Sequence, residues 1–251
     1  MSFYRSLVRP LDRLKPRLKR LPGAVPLARV LRYCLDARYR SEWHLRRARA
    51  PDLFQVTGYT MPGRYPVLFA GLARALADRR AARILCFGCS SGEEIESLRA
   101  LIPDAVFVGI DINRHSIALA RRRLAGTAVL LIHSGRIGPP GEARFDAIVC
   151  MAVLQRTELN QQLPARCTPL LSFAKFEAAI ADFDRNLTTG GLLLLQHSNF
   201  RFTDTAASKR YAAAAELPAR LPETAKYGRD DRLIAEAGAE ALLYRKLAEA
   251  A

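Results

Sequence analysis

From residue 83 onward, short apolar runs alternate with longer stretches whose apolar residues recur every three or four positions. Five runs read as strands, at 84–87, 106–110, 129–133, 147–151 and 192–197. Runs this short and this apolar suit strands covered on both faces, and the stretches between them supply the crossover helices that a parallel sheet requires. Residues 93–101 bring Ile95, Leu98 and Leu101 to one helical face. Residues 116–124 turn Ile117, Ala120 and Leu124 inward and leave Arg121, Arg122 and Arg123 largely outward. Phe173, Phe176, Ile180, Phe183 and Leu187 mark a longer helix, closed by Gly190 and Gly191. This order predicts an α/β protein with a doubly wound, mostly parallel sheet.

The flanks read differently. In residues 1–50, Leu7, Leu11, Leu14, Leu18 and Leu21 recur at helical spacing, but Pro10, Pro16 and Pro22 interrupt any continuous helix, so only short helical pieces are expected. Residues 51–66 contain Pro51, Gly58, Pro62, Gly63 and Pro66 and read as a loop carrying Phe54, Tyr59 and Tyr65. Residues 67–77 predict a helix leading into the first strand. Beyond the fifth strand, residues 206–217 are helix-like, 217–222 break the pattern, and 241–247 return as a final strand with Leu242, Leu243 and Tyr244. The organisation is a basic, partly helical extension over 1–50, a lid-like loop and lead-in helix over 51–80, and the α/β domain over 81–251.

Composition fits a globular chain: 50% of the residues are hydrophobic and 25% charged, which excludes bulk disorder and a fibrous protein. Charge changes the picture more. The 39 Lys and Arg residues outnumber 24 Asp and Glu, for a net +15, yet residues 1–50 alone hold 14 basic side chains against Asp12, Asp36 and Glu42, a net +11. Such an extension suits nucleic acid, anionic lipid or an acidic partner. Its alternating Leu and Arg favour an anionic membrane surface over RNA. Five cysteines, at 34, 86, 89, 150 and 167, are an odd number, with three in or beside apolar runs, as in a reducing compartment. Cys86 and Cys89 form a C-x-x-C pair, but nothing supplies the other two ligands of a structural zinc, so no metal is expected. No apolar run approaches the roughly 20 residues needed to span a bilayer, and no secretory signal is visible. A cytoplasmic location is expected, with peripheral membrane contact through residues 1–50.

The chemistry concentrates at the junction Ile84-Leu85-Cys86-Phe87-Gly88-Cys89-Ser90-Ser91-Gly92-Glu93-Glu94, followed by Asp111 at the end of the next strand. A strand entering a tight loop of small residues and then a helix lets backbone approach a ligand closely. The helix start near Gly92 offers unpaired N–H groups. Asp111 stands where a carboxylate can accept both hydroxyl hydrogens of a ribose. These features point to an adenosine-containing cofactor. A dinucleotide fingerprint from Gly88 would need glycine at 90 and 93, where Ser90 and Glu93 stand, and the Gly-Lys-Ser/Thr ending of a Walker loop is absent.

Four ordered segments, Gly88-Cys-Ser-Ser-Gly92-Glu-Glu, Val108-Gly-Ile-Asp111-Ile-Asn, Phe145-Asp-Ala-Ile-Val-Cys-Met151 and Gly190-Gly-Leu-Leu-Leu-Leu-Gln196, together resemble the class I S-adenosylmethionine-dependent methyltransferases. The G-C-S-S-G-E-E variant is similar to the loop of chemotaxis-receptor (CheR-type) methyltransferases. Two departures stand out: the acidic residue usual before the first glycine is Cys86, and the middle glycine is Ser90. The resemblance implies a Rossmann-like methyltransferase fold with S-adenosylmethionine as cofactor. It implies that Gly88, Ser90 and Gly92 line the methionine part, Asp111 holds the ribose and Ile112 packs on adenine. Ser134 and Gly135 would lie by the adenine amino group, and Cys150 and Met151 beside the sulfonium.

His197, ending the fifth strand on the cofactor side, suits a general base by its near-neutral reference pKa, or serves as a hydrogen-bonded rim histidine. Asn199 and Arg201, with Gln155 and Arg156, are placed to orient substrate. Tyr59, Arg64 and Tyr65 belong to a segment that in this superfamily often closes over cofactor and substrate. The expected function is methyl transfer to a small-molecule, sugar or lipid-linked acceptor, at oxygen. Alternatives are a protein carboxyl methyltransferase, an RNA methyltransferase, and a non-catalytic membrane-surface adaptor that keeps the fold.

Overall fold

The computed structural model describes residues 24–48, 53–138, 144–215, 224–236, 238 and 240–248. The leucine repeat at 7–21 and the breaker at 217–222 lie outside them. Two helices come first, α1 (Ala24–Leu35) and α2 (Ala37–Ala48), followed by α3 (Pro66–Ala75). Then come β1 (Arg83–Phe87), α4 (Glu93–Leu101), β2 (Val106–Asp111), α5 (Arg114–Arg123), β3 (Leu130–His133), β4 (Phe145–Met151), α6 (Thr157–Gln162), α7 (Phe173–Asn186) and β5 (Leu187–Gln196). Two short 3-10 turns lead to β6 (Tyr211–Ala215), and β7 (Leu243–Lys246) ends the described chain.

Among the described residues the strands form one sheet in the order β3-β2-β1-β4-β5-β7-β6. The pairs from β3 through β5 are parallel, while β7 runs antiparallel to both β5 and β6. This is the doubly wound, Rossmann-like arrangement. The order reverses between β1 and β4, so the crevice for a ligand opens at the carboxyl ends of those strands. Strand alternation builds a core on each face. Leu85 and Phe87 of β1, with Leu193 and Leu195 of β5, turn to one side and meet Phe176, Ile180 and Phe183 of α7. Ile84 and Cys86, with Leu192 and Leu194, turn to the other and meet Leu68, Phe69 and Leu72 of α3 and Ile95 and Leu98 of α4. Caps set the helix starts: Asn113 accepts from the backbone N–H groups of His115 and Ser116 at α5, and Ser172 from that of Lys175 at α7.

Two expectations change. The longer helix stops at Asn186, before Gly190 and Gly191, because the chain is already extended and pairing with β4 from Leu187. Gly190 takes a φ of +70° inside β5, close to an irregularity in the β4–β5 pairing between Phe145 and Ala147, and its carbonyl accepts from Arg79 and Arg245. Within the helix-like stretch at 206–217, the described residues form a 3-10 turn (Ala206–Arg210) and an edge strand (Tyr211–Ala215). Its alanines favour a helix locally, but pairing with β7 and the docking of Tyr211 on Phe202 override that preference. In the extension, α1 and α2 are short helical pieces of the expected kind, and α1 carries Pro26 in its first turn, where the missing N–H costs nothing.

The edge is pinned through Asp184 of α7, which accepts from Tyr211 Oη at 2.9 Å, from Arg210, and pairs with Lys246 Nζ at 3.2 Å. Burial opposes its charge, but these three partners outweigh it and hold the carboxyl below its usual range. Asp184→Asn is expected to cost about 1–3 kcal/mol of stability at neutral pH. A depressed folded pKa contributes stability above the unfolded pKa and loses it as pH falls through the folded one. The gap between wild-type and variant melting temperatures should therefore close in acid; a gap that persists there would remove the charge from the explanation.

Candidate active site

β1 delivers Phe87 to Gly88, whose φ of +76° and position both demand glycine: a Cβ there would stand 2.2 Å from Val153 Cγ2. The backbone N–H groups of Gly88 and Cys89 donate to the Ile110 carbonyl at 2.7 and 3.0 Å, which fastens the loop to β2. Asp111 then ties two loops together. One carboxylate oxygen accepts from Ser90 N at 2.8 Å and the other from Asn113 N at 2.7 Å. Ser134 N donates to the Asp111 carbonyl at 3.0 Å and brings the turn after β3 alongside. From the other side Ser90 Oγ donates to the Gly58 carbonyl at 3.1 Å, which draws in the loop before α3.

These ties frame an open-mouthed cavity at the carboxyl ends of β1, β2 and β4. Gly88, Ser90, Asp111, Ile112, Ser134, Gly135 and Met151 line it, together with Tyr59 from the lead-in loop. Gly92 sits behind the wall, as the left-handed cap of α4 packed on Ala120 and Leu124. Cys150 is in the core, and burial pushes its thiol well up.

The remaining singled-out residues do not line the cavity. Arg64 donates to the Tyr59 carbonyl and lies over the rings of Tyr59 and Tyr65, 5.5 and 4.9 Å from their centroids. His197, with φ +53°, places Nδ1 3.0 Å from Thr224 Oγ1 and its ring 6.2 Å from that of Tyr65. Burial, then the positive charges of Arg64 and Lys226, push it down to about 4, so it is neutral at pH 7. Asn199 is fully buried and acts as a clamp. It accepts from Arg156 N at 2.6 Å and donates to Asn160 and the Ala225 carbonyl. Gln155 is held by Asn160, the Arg156 guanidinium by the Leu170 carbonyl, and Arg201 by Asp204.

The cavity wall also contains residues that sequence reasoning missed: Leu45 of α2, residues 54–58 and Thr60 of the lead-in loop, Val153, and above all Glu94. The two neighbouring glutamates have opposite fates. Glu93 pairs with Arg123 at 2.8 Å and accepts from Ser91 Oγ. Glu94 is buried at the cavity, with no hydrogen bond or ion pair among the described residues. Burial pushes it up to about 8; the Arg64 charge opposes this, while Glu93 and Asp111 add to it. Burial likewise raises Asp111, against the N–H groups of Asn113 and Ser90.

Over residues 85–193 the chain matches the family described as a methyltransferase domain. A trans-aconitate 2-methyltransferase of Methylobacterium nodulans is 30% identical over 145 residues, which cover 57% of this chain and 49% of that protein. The chain thus spans about half the length of the curated relative it matches. Among solved structures, the plantazolicin methyltransferase BpumL in complex with SAH is 15% identical, covering 78% of this chain and 66% of that one, with a TM-score of 0.42. SAM-bound CalS10, an amino pentose methyltransferase from Micromonospora echinaspora, is 28% identical over 52% of this chain and 49% of that one, with a TM-score of 0.36. The family match runs from within β1 into β5 and so includes the Gly88 loop, Asp111, the Ser134 turn and Met151. The part of the wall made by Leu45 and residues 54–60 lies outside it.

Proposed function

We propose that the protein transfers the methyl group of S-adenosylmethionine to an oxygen of a small-molecule, sugar or lipid-linked acceptor. The observation that carries the cofactor reading is a buried acidic side chain in the cavity wall. A helix N-terminus attracts anions, but the first turn of α4 carries Glu93, Glu94 and Glu96, and Glu94 presents to the cavity a buried carboxyl group with no partner among the described residues. A pyrophosphate would gain no cation there and would keep the carboxyl from ionising, whereas an ammonium group would ionise it and find its partner. The amino-acid end of S-adenosylmethionine bears that ammonium, and Glu94 supplies the acidic group that Cys86 does not. Arg64, close enough to Glu94 to oppose its rise in pKa, suits the α-carboxylate of the same end.

Asp111 fits the ribose. Each of its oxygens already accepts one backbone N–H, which leaves each a lone pair for a hydroxyl. Ile112 and the Ser134-Gly135 turn would then take the adenine, with Gly88 and Met151 along the wall between; all of them line the cavity. When bound, the cofactor supplies an electrophilic methyl group on a sulfonium. The chain's part is to orient the two partners and exclude water, with Tyr59 in the cavity wall and Arg64 over its ring.

An acceptor oxygen that arrives ionised suits this site, because His197, held near 4, is a weak base. Carboxylates qualify. The curated relative's name gives trans-aconitate, a carboxylic acid, as its substrate, and the likeness of the Gly88 loop to that of protein carboxyl methyltransferases points the same way. Titration calorimetry is expected to show binding of S-adenosylmethionine, and mass spectrometry of a panel of carboxylic acids and lipid extracts to show a product heavier by one methylene. Absence of cofactor binding by the wild type would overturn the reading.

A further inference from the structure

α1 is amphipathic in an unusual sense: its apolar stripe faces solvent. Leu27, Val30, Leu31 and Leu35 are 60, 58, 52 and 76% exposed. Their spacing of three and four puts them on one side of the helix. The opposite side carries Arg29, Arg32 and Tyr33, and Tyr33 turns to α2, with its ring 5.1 Å from that of Trp43 and its hydroxyl 2.9 Å from His44 Nε2. The helix pair is a built unit. Asp36 caps α2 by accepting from Tyr39 N, and Arg40 donates to the Tyr33 and Cys34 carbonyls at the end of α1. It is anchored at the cavity rim, where Ser41 Oγ donates to Asn113 Oδ1 at 2.6 Å and Leu45 joins the wall.

We propose that α1 lays this aliphatic stripe into the surface of an anionic lipid bilayer, with the cavity beside it. Charge selects that occupant. Residues 1–50 carry a net +11, so a second copy would bring two such charges face to face, and residues 1–23 covering the stripe would bring like charges together. A nucleic acid would satisfy the cations but gain nothing from four exposed aliphatic side chains. A lipid headgroup layer satisfies both, the cations at phosphate level and the stripe at the acyl boundary. No helix among the described residues is long and apolar enough to cross a membrane, so the contact lies along the surface.

The test is co-sedimentation of the full chain with phosphatidylcholine vesicles made with and without phosphatidylglycerol. The wild type is expected to sediment with the anionic vesicles and much less with the neutral ones, and added salt should release it. Leu27→Glu/Leu31→Glu is expected to lose about ten-fold or more in partitioning while keeping its melting temperature, since both side chains are exposed. Leu27→Ala/Leu31→Ala decides the matter if the glutamate variant folds poorly. Absence of sedimentation, equal binding to neutral vesicles, or an aliphatic-stripe variant that binds like wild type overturns the proposal. So does self-association or RNA retention in place of vesicle binding. None of these readouts depends on the cofactor.

Discussion

Asp111→Ala is expected to lower the affinity for S-adenosylmethionine by at least ~100-fold, a loss that calorimetry would register as near-absence of heat. Two effects add. The ribose hydroxyls lose a charged acceptor, at about 1.5–3 kcal/mol for each such hydrogen bond. The Ser90 and Asn113 N–H groups also lose the carboxylate that aligns the Gly88 loop with the loop after β2. Asp111→Asn separates the two. It keeps the shape and one acceptor oxygen, but its amide must turn an NH2 toward either Ser90 N or Asn113 N. Its affinity should fall between wild type and alanine. Stability should not follow the same order. Burial raises the Asp111 pKa, so its charge is a burden on the folded state as pH rises, and the variants are expected to melt near the wild type. Alanine binding as tightly as aspartate would remove Asp111 from the cofactor site.

The parts of the fold that local pattern determines were legible in the chain. Buried parallel strands must be apolar throughout, which is why residues 84–87, 106–110 and 147–151 stand out, and the helix at 93–101 could be read to its ends from its apolar period and Gly92. Where non-local pairing decides, local reading fails. Gly190 looks like a helix stop, yet it serves a bend inside β5, and the alanines at 212–214 look helical until β7 pairs with them. The site shows the same division. The loop glycine, Asp111 and the Ser134 turn are tied to strand ends and so could be placed by counting along the strands. Glu94 lies in plain view in the G-C-S-S-G-E-E run, but its meaning depends on burial and on which of two neighbouring glutamates Arg123 takes, and no spacing rule supplies that. His197 follows the last residue of β5 instead of ending it, and the left-handed backbone there and its contact with Thr224 depend on residues far along the chain.

Glu94→Gln should uncouple binding from stability, in opposite directions. In the free protein burial holds the carboxyl up to about 8, so it is mostly neutral at pH 7. An ammonium group that binds against it must ionise it. Cofactor binding at neutral pH should therefore release a proton, seen as a dependence of the calorimetric heat on the buffer's ionisation enthalpy. Below pH 8 the affinity should climb with pH by up to ~10-fold per unit, until the ligand's amine begins to lose its own proton. Glutamine removes the charge at constant shape: affinity should fall by about 10- to 100-fold, and the proton release should vanish. The stability change has the other sign. A folded pKa raised above the unfolded value stabilises below the unfolded pKa and costs stability as pH rises through the folded one. For a group this deeply buried the cost is on the order of 5 kcal/mol above pH 8. The variant should thus melt higher than wild type in mild alkali and alike in acid, even as it loses its ligand. If affinity and its pH dependence survive in the variant, the ammonium lies elsewhere and the charge argument for this cofactor falls with it.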